Sequence, residues 1–155
     1  MSFRITGLDP APFLPLYGLD DAALAAQGAR RCIADARPGY PDRIELRDAE
    51  PGERLILINY MHQPADTPYR SSHAIFVREG AETRCEMVDA VPTALAIRPI
   101  SLRAFDTQGD MRDARLIDGD DLRLAIDALL ADEQTAYLHA HYATRGCYAA
   151  RVDRA

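Results

Sequence analysis

The most regular hydrophobic pattern of the chain lies in its middle, between residues 55 and 79. Ile56–Ile58 belong to an apolar run without alternation, which is typical of a strand buried on both faces in the middle of a sheet. Ala74–Arg78 alternate instead, with the period of two expected of a neighbouring strand. The polar segment Met61–Ser72 between them contains two prolines, which lack the N–H donor that a central strand needs. The pattern therefore predicts two strands joined by a stiff, polar loop.

Shorter segments with strand-like composition occupy much of the rest of the chain. The segment Arg43–Arg47 is one of them, and we expect its two apolar residues, Ile44 and Leu46, to point inward and its three charged residues outward. The other predicted strands are Arg31–Ala34, Arg84–Met87, Ile100–Phe105, Ala114–Ile117 and Thr135–Ala143.

One segment has the helical period. Its apolar residues, from Leu122 to Leu130, recur at i, i+3, i+4, i+7 and i+8 and form a single stripe. They predict a helix from about Gly119 to Ala131, with Asp118 as its N-cap. Together with the strands, this helix predicts an α+β fold, a mostly antiparallel sheet of about five to seven strands with the helix packed on one face. The strand order stays open.

The loop after the central strand carries the side chains of an anion site. Guanidinium, hydroxyl and imidazole groups donate the hydrogen bonds that carboxylate and phosphate oxygens accept. In the structural alternative, Asp66 builds a turn and pairs with Arg70, and the loop then binds nothing. The candidate ligand-binding residues are Asp66, Tyr69, Arg70, Ser71, Ser72 and His73.

The last predicted strand offers a second candidate site. Its alternation places His139 and His141 on one face, and two imidazoles at this spacing suit a single metal ion. Two ligands are too few to hold one, so the sequence assigns no metal and no cofactor. A third ligand would have to come from His62, His73, Asp66 or Cys147.

Cys147 follows this strand after a short loop, and the length of that loop determines on which face of the sheet Cys147 lies. A three-residue loop would return it on the histidine face, where His139 or His141 would act as general base for a Cys147 nucleophile. A four-residue loop would place it on the other face. The catalytic candidates are therefore His139, His141 and Cys147.

Two blocks of the sequence carry a family resemblance. They are Gln63–Ser72, which reads QPADTPYRSS, and Arg145–Arg151, which reads RGCYAAR. With Ile75–Glu79 and the overall length, they resemble the bacterial family filed as domain of unknown function number twelve-zero-three. The resemblance covers essentially the whole chain. It implies a small, free-standing bacterial protein, and it supplies no activity and no catalytic residue.

Composition narrows the functional classes. The 155 residues are 48% hydrophobic and 27% charged, as expected of one globular domain spanning residues 1–155. The formal net charge of −6 opposes nucleic-acid binding, which needs a basic patch. All 18 basic residues are arginine, so Schiff-base and P-loop lysine chemistry is excluded.

The cysteines and the apolar runs bear on localisation. The three cysteines are far apart and lack CxxC spacing, so neither a disulfide framework nor a structural zinc site is indicated. No apolar run approaches the ~18 residues of a membrane span, and prolines interrupt the apolar N-terminus. We therefore expect a cytoplasmic protein without membrane contact.

Three functional hypotheses follow. The first is a small-molecule binding domain for an anionic ligand, with a pocket between the 61–73 loop and the strand of His139 and His141. The second is an enzyme that uses the same pocket, with histidine and cysteine or histidine-bound zinc. The third is a protein-interaction module that uses a sheet edge or the N-terminal proline segment. A concave pocket with convergent polar groups favours the first two, and the oligomeric state stays open.

Overall fold

The fold is built almost entirely from antiparallel strands. The computed structural model describes residues 1–155. None of its helices is both long enough and apolar enough to cross a membrane. Single turns of 3-10 helix lie at Leu14–Leu16 and Gly119–Asp121. The strands and α-helices are, in chain order, β1 (Phe3–Thr6), α1 (Asp21–Ala26), β2 (Arg30–Ile33), β3 (Arg54–Gln63), β4 (Ser71–Arg78), β5 (Glu86–Val88), α2 (Thr93–Ala96), β6 (Pro99–Phe105), β7 (Met111–Asp118), α3 (Leu122–Leu130), β8 (Tyr137–Tyr142) and β9 (Cys147–Arg154).

The strands form two sheets. The larger has six strands in the order β5-β1-β9-β8-β6-β7, and the smaller has three in the order β2-β3-β4. The prediction of mostly antiparallel strands is confirmed. The prediction of a single sheet of about five to seven strands with one main helix understates the sheet content, because nine strands form two sheets. The difference arises at the chain ends, where β1 pairs with β9. Neither strand shows in the sequence pattern, because β1 has only four residues and alanine, which β9 contains, is depleted in strands.

Helix α3 covers one face of the larger sheet, as the apolar stripe predicts. Its five buried apolar side chains pack in one cluster with Leu102 of β6, Leu138 of β8 and Val152 of β9. The α-helix begins at Leu122, later than predicted, because the preceding three residues form a 3-10 turn. The predicted cap is wrong in detail, since the Asp118 side chain makes no capping hydrogen bond.

The smaller sheet covers the opposite face of the larger one. Strand β3 is its middle strand, which confirms the central position predicted from the apolar run. Ile56 and Val77 of this sheet pack in a second cluster with Tyr148 of β9. Tyr148 pairs with His141, on the face of the larger sheet that is turned away from α3. The layers therefore run from α3 through the larger sheet to the smaller sheet.

The segment 43–47, predicted as a strand, is irregular. Leu46 has a left-handed backbone with a φ of 54°, which a strand does not contain. Ile44 and Leu46 are buried as expected. The prediction that Arg43 points outward is wrong, because only 1% of its surface is exposed. Its guanidinium group is instead satisfied by backbone oxygens inside the fold.

Candidate metal centre

The end of β3 and the start of β8 lie against each other where the two sheets meet. A bulge near the end of β3 shifts its register before Gln63. Gln63 Nε2 donates a 2.9 Å hydrogen bond to the Tyr137 hydroxyl of β8. This contact brings the loop segment and the histidine-bearing strand together, and it places His62 of β3 beside His139 and His141.

The three histidines form a compact cluster. The ring centroids of His62 and His141 are 4.9 Å apart, and those of His62 and His139 are 6.2 Å apart. One ring nitrogen from each residue lies within 4.8 Å of the other two. Strand β8 supplies two rings from one face, as its alternation predicts, and β3 supplies the third from the facing sheet.

Each imidazole has a buried nitrogen without a hydrogen-bond partner. The exposed fractions of His62, His139 and His141 are 9%, 4% and 1%. The unpartnered atoms are Nδ1 of His62, Nδ1 of His139 and Nε2 of His141. An unsatisfied buried polar group costs about 1–3 kcal/mol. The cluster therefore combines three unsatisfied polar groups, each of which lowers the stability of the fold.

The tautomer of His141 is set by the backbone. Its Nδ1 lies 2.9 Å from the carbonyl oxygen of Gly146. A carbonyl oxygen only accepts, so Nδ1 carries the proton and donates it. The neutral ring then has a free lone pair on Nε2. Metal-binding histidines commonly have this arrangement, in which the other ring nitrogen donates to a carbonyl group.

Burial keeps all three rings neutral at pH 7. Desolvation lowers the pKa of His62 to about 4 and the pKa of His139 and of His141 to about 3. The positive charge of Arg103 acts in the same direction on each of these pKa values. Metal ions bind neutral imidazole. The cluster therefore needs to release no ring proton to bind one at neutral pH.

Aromatic rings and one arginine surround the cluster. Tyr148 of β9 stacks on His62 with a centroid distance of 5.5 Å and an interplanar angle of 6°. The ring centroids of Phe105 of β6 and His139 are 5.0 Å apart. Arg103 pairs with His139 across the strands, and its one side-chain hydrogen bond goes to a serine hydroxyl rather than to an acid. The cluster thus consists of neutral donors beside an unpaired cation.

The geometry fits three of the four ligands of a zinc ion. A tetrahedral ion with Zn–N distances of about 2.0–2.1 Å places its nitrogen ligands roughly 3.4 Å apart. The nitrogens lie within 4.8 Å of one another, so binding would require the rings to move closer together. Structural zinc sites have four protein ligands, whereas three leave one position for water. A metal ion bound by these three residues would therefore have one coordination position left for water.

Of the predicted anion-binding residues, Asp66, Tyr69 and Arg70 lie in the loop between β3 and β4, and Ser71–His73 lie at the start of β4. Arg70 Nη1 donates a 2.9 Å hydrogen bond to the carbonyl oxygen of Pro64 and does not pair with Asp66. His73 Nδ1 lies 3.0 Å from the carbonyl oxygen of Ala74. The Arg70 contact holds the loop itself, and the His73 contact is local to β4. Asp66, Tyr69, Arg70 and Ser72 are exposed, and Ser71 and His73 are half-buried.

Cys147 lies on the face opposite to the histidines. It pairs with Tyr142, so residues 143–146 form a four-residue loop between β8 and β9. The second of the two loop lengths considered for the sequence is thus the one that forms. Cys147 Sγ lies 3.1 Å from Nη2 of Arg43. No pair between Cys147 and a histidine is formed, because one extra loop residue turns the side chain to the other face.

Sequence reasoning identifies two of the three clustered histidines and leaves the third among four candidates. Nothing in the spacing of His62 singles it out, because its contact with β8 runs between two sheets. Tyr148 and Arg103 were missed altogether. The alternation of β6 places Arg103 and Phe105 on one face, and this shared face is the one signal that the sequence contains.

The fold and the site define a class of protein in which two packed antiparallel sheets enclose a three-histidine cluster. The chain belongs to the family described as "Protein of unknown function (DUF1203)", which matches residues 39–154. This match confirms the resemblance seen in the sequence, and it contains all three clustered histidines. No curated protein and no solved structure matches the chain.

Proposed function

We propose that this protein binds a transition metal ion, Zn²⁺ in the first place, through His62, His139 and His141. The observation that supports the proposal is the meeting of three buried imidazoles, each of which has one buried nitrogen without a hydrogen-bond partner. Burying polar groups without partners is unfavourable, and a fold that needs only packing can place apolar side chains there. A bound cation replaces three desolvation costs with three coordinate bonds.

The donor set narrows the choice of ion. Neutral nitrogen donors suit Zn²⁺, Cu²⁺ or Ni²⁺ and do not suit Ca²⁺ or Mg²⁺, which take oxygen ligands. The cluster contains neither a thiolate nor a carboxylate. Three histidines with one open position form a recurrent zinc arrangement. Zn²⁺ is therefore the first ion to test.

The fourth position of the ion would hold water or a small anion. Three neutral ligands leave the ion its full charge, which lowers the pKa of a zinc-bound water to about 7 and attracts anions. Arg103 adds positive charge beside the cluster. Four cavities of about 230–350 Å³ lie elsewhere in the fold, and none of them is lined by a clustered histidine.

The site would also bind an anionic ligand, but the groups that attract the anion differ from those predicted from the sequence. The ion and Arg103 would attract the anion, whereas Arg70 already donates to a carbonyl group and faces solvent. The predicted 61–73 loop is shorter in the structure, because β3 extends to Gln63 and β4 begins at Ser71. The segment would contribute through His62 and through Gln63, which contacts β8 from the end of β3.

The test is a metal titration of untagged protein. The protein is stripped with a chelator and reconstituted with ZnSO₄ or CoCl₂, and the bound metal is measured by plasma mass spectrometry. We expect one ion per chain. The Co²⁺ form should show the intense visible absorption of a tetrahedral site, because three imidazoles and one water impose that geometry.

Variants of the four histidines provide the controls. His62→Ala, His139→Ala and His141→Ala should each abolish stoichiometric binding. His73→Ala is the matched control, since it removes the fourth histidine of the chain, which lies outside the cluster. It should bind like the wild type. Equal binding by His73→Ala and His139→Ala would overturn the proposal.

A further inference from the structure

A cavity separate from the histidine cluster lies at the turn between β8 and β9, on the opposite face of β9. Its volume is about 230 Å³. No acidic residue lines it, although the chain as a whole has a net charge of −6. A cavity lined by one sign of charge concentrates ions of the other sign. Its charged and polar lining residues are Arg43, Arg98, Tyr142, Thr144, Arg145 and Cys147.

Arg43 brings a buried positive charge to this cavity. Its Nε donates to the carbonyl oxygen of Tyr148 at 2.7 Å, its Nη1 to that of Pro41, and its Nη2 contacts Cys147 Sγ at 3.1 Å. These contacts use three of the five N–H donors of the guanidinium group. None of them supplies a negative charge. The adjacent Asp42 carboxylate accepts from three backbone N–H groups instead.

Two other arginines with largely covered side chains differ from Arg43 in having an acidic partner. Arg31 pairs with Glu79 and Arg98 pairs with Asp48, each at 2.6 Å. A buried charge without a partner is strongly unfavourable. Desolvation accordingly lowers the pKa of Arg43. A ligand with negative charge would supply the missing partner.

Tyr142 brings an unpartnered donor to the same cavity. Its ring lies 4.9 Å from Cζ of Arg43 and 5.1 Å from Cζ of Arg98. The residue is 5% exposed, and its hydroxyl group is buried without a hydrogen-bond partner. A buried tyrosine hydroxyl usually has one. An oxygen atom of a ligand would satisfy it.

We propose that this cavity binds the oxyanion group, phosphate or carboxylate, of a small molecule. Arg43 and the Tyr142 hydroxyl would contact it inside the cavity, and Thr144 and Arg145 would contact it from the exposed turn. The Arg98 charge is already neutralised by its acid, so Arg98 serves to hold the Tyr142 ring. The volume is below the ~300–1,000 Å³ of drug-sized pockets, which suits a small metabolite rather than a nucleotide.

The test uses inorganic phosphate and malonate as probes, each compared with NaCl at equal ionic strength, because salt alone screens surface charges. Thermal unfolding and titration calorimetry measure the affinity. We expect one probe or both to bind the wild-type protein. Stabilisation by phosphate alone would indicate a phosphorylated ligand, and stabilisation by malonate alone would indicate a carboxylate.

Two variants avoid the risk that a change at the buried Arg43 prevents folding. Tyr142→Phe keeps the ring between the two arginines and removes only the hydroxyl group. Arg145→Ala removes an exposed charge. Each should weaken the binding of the probe roughly tenfold, which is the usual effect of losing one hydrogen bond to a charged group. Arg115→Ala, at an exposed arginine of β7, is the matched control and should bind normally.

Cys147 provides a second, independent readout. Labelling with iodoacetamide, located by peptide mass spectrometry, should be slowed at Cys147 by the bound probe and unchanged at Cys32 and Cys85. Binding that neither variant weakens, or that leaves Cys147 labelling unchanged, indicates an adventitious ion only and overturns the proposal. Failure of both probes to bind, or a Cys147 thiol that never reacts, also overturns it.

Discussion

Lowering the pH from about 7.5 to 5.5 should destabilise the metal-free protein, because its three buried histidines take up protons only on unfolding. In the folded protein the pKa of His62 is about 4 and the pKa of His139 and of His141 is about 3. In an unfolded chain the pKa of histidine is about 6.5. Below that value the unfolded state binds protons that the folded state does not bind. The free energy of unfolding therefore falls as the pH falls.

The magnitude follows from the interval between the two sets of pKa values. Each histidine costs about 1.4 kcal/mol per pH unit once the pH is well below 6.5. Over the interval chosen, the loss is about 1.3 kcal/mol for each ring and about 4 kcal/mol for three. Any folded pKa below about 4.5 gives nearly the same total, because the folded rings then stay neutral throughout. This loss is a large part of the ~5–15 kcal/mol by which domains are stable.

Urea unfolding in EDTA, followed by far-ultraviolet circular dichroism at several pH values, measures this loss. Carboxylates with a lowered pKa, such as Glu53 at about 2 beside Arg47, are ionised in both states above pH 5.5 and contribute nothing. The His139→Ala variant should lose about 1.3 kcal/mol less than the wild type. The His73→Ala variant keeps the three clustered rings, so their contribution to the loss of free energy of unfolding should be the same as in the wild type. A loss below about 1 kcal/mol in the wild-type protein would refute the reasoning.

Two further predictions concern the packing of the fold. Gly119→Ala should cost about 1–3 kcal/mol, because an added Cβ would lie 2.2 Å from a backbone oxygen of α2. Gly39→Ala is its control, since the nearest atom there is 3.8 Å away, and equal melting temperatures of the two variants would contradict the prediction. Arg98→Ala should cost about 3–5 kcal/mol in chemical denaturation, because it leaves the buried Asp48 carboxylate without its partner. Adding Asp48→Ala should recover part of that loss, and a double variant as unstable as Arg98→Ala would count against this explanation.

Much of the local structure could be predicted from the sequence. The apolar stripe of α3 and the alternation of β4 and β6 each report directly which side chains face the core. The segment 43–47 shows where this fails. Its alternation placed Ile44 and Leu46 correctly, but the same rule turned Arg43 outward. The rule fails there because residues 43–45 form a turn, to which the period of two of a strand does not apply.

The candidate sites were predictable only in part. His139 and His141 share a face because adjacent residues of a strand point to opposite sides. This alternation depends only on β8 being a strand and not on its place in the sheet. The loop before Cys147 was uncertain by a single residue, and that residue decides whether the thiol meets the histidines or Arg43.

The sequence by itself determined most of the elements, the faces of their side chains and the position of two histidines on one face of a strand. Only the tertiary structure decided that His62 completes the cluster and that Arg43 is buried beside Cys147. The physical reason is the range of the interactions. Side-chain direction within a strand depends on neighbouring residues, whereas contact between two sheets depends on how both layers bury their apolar faces against each other.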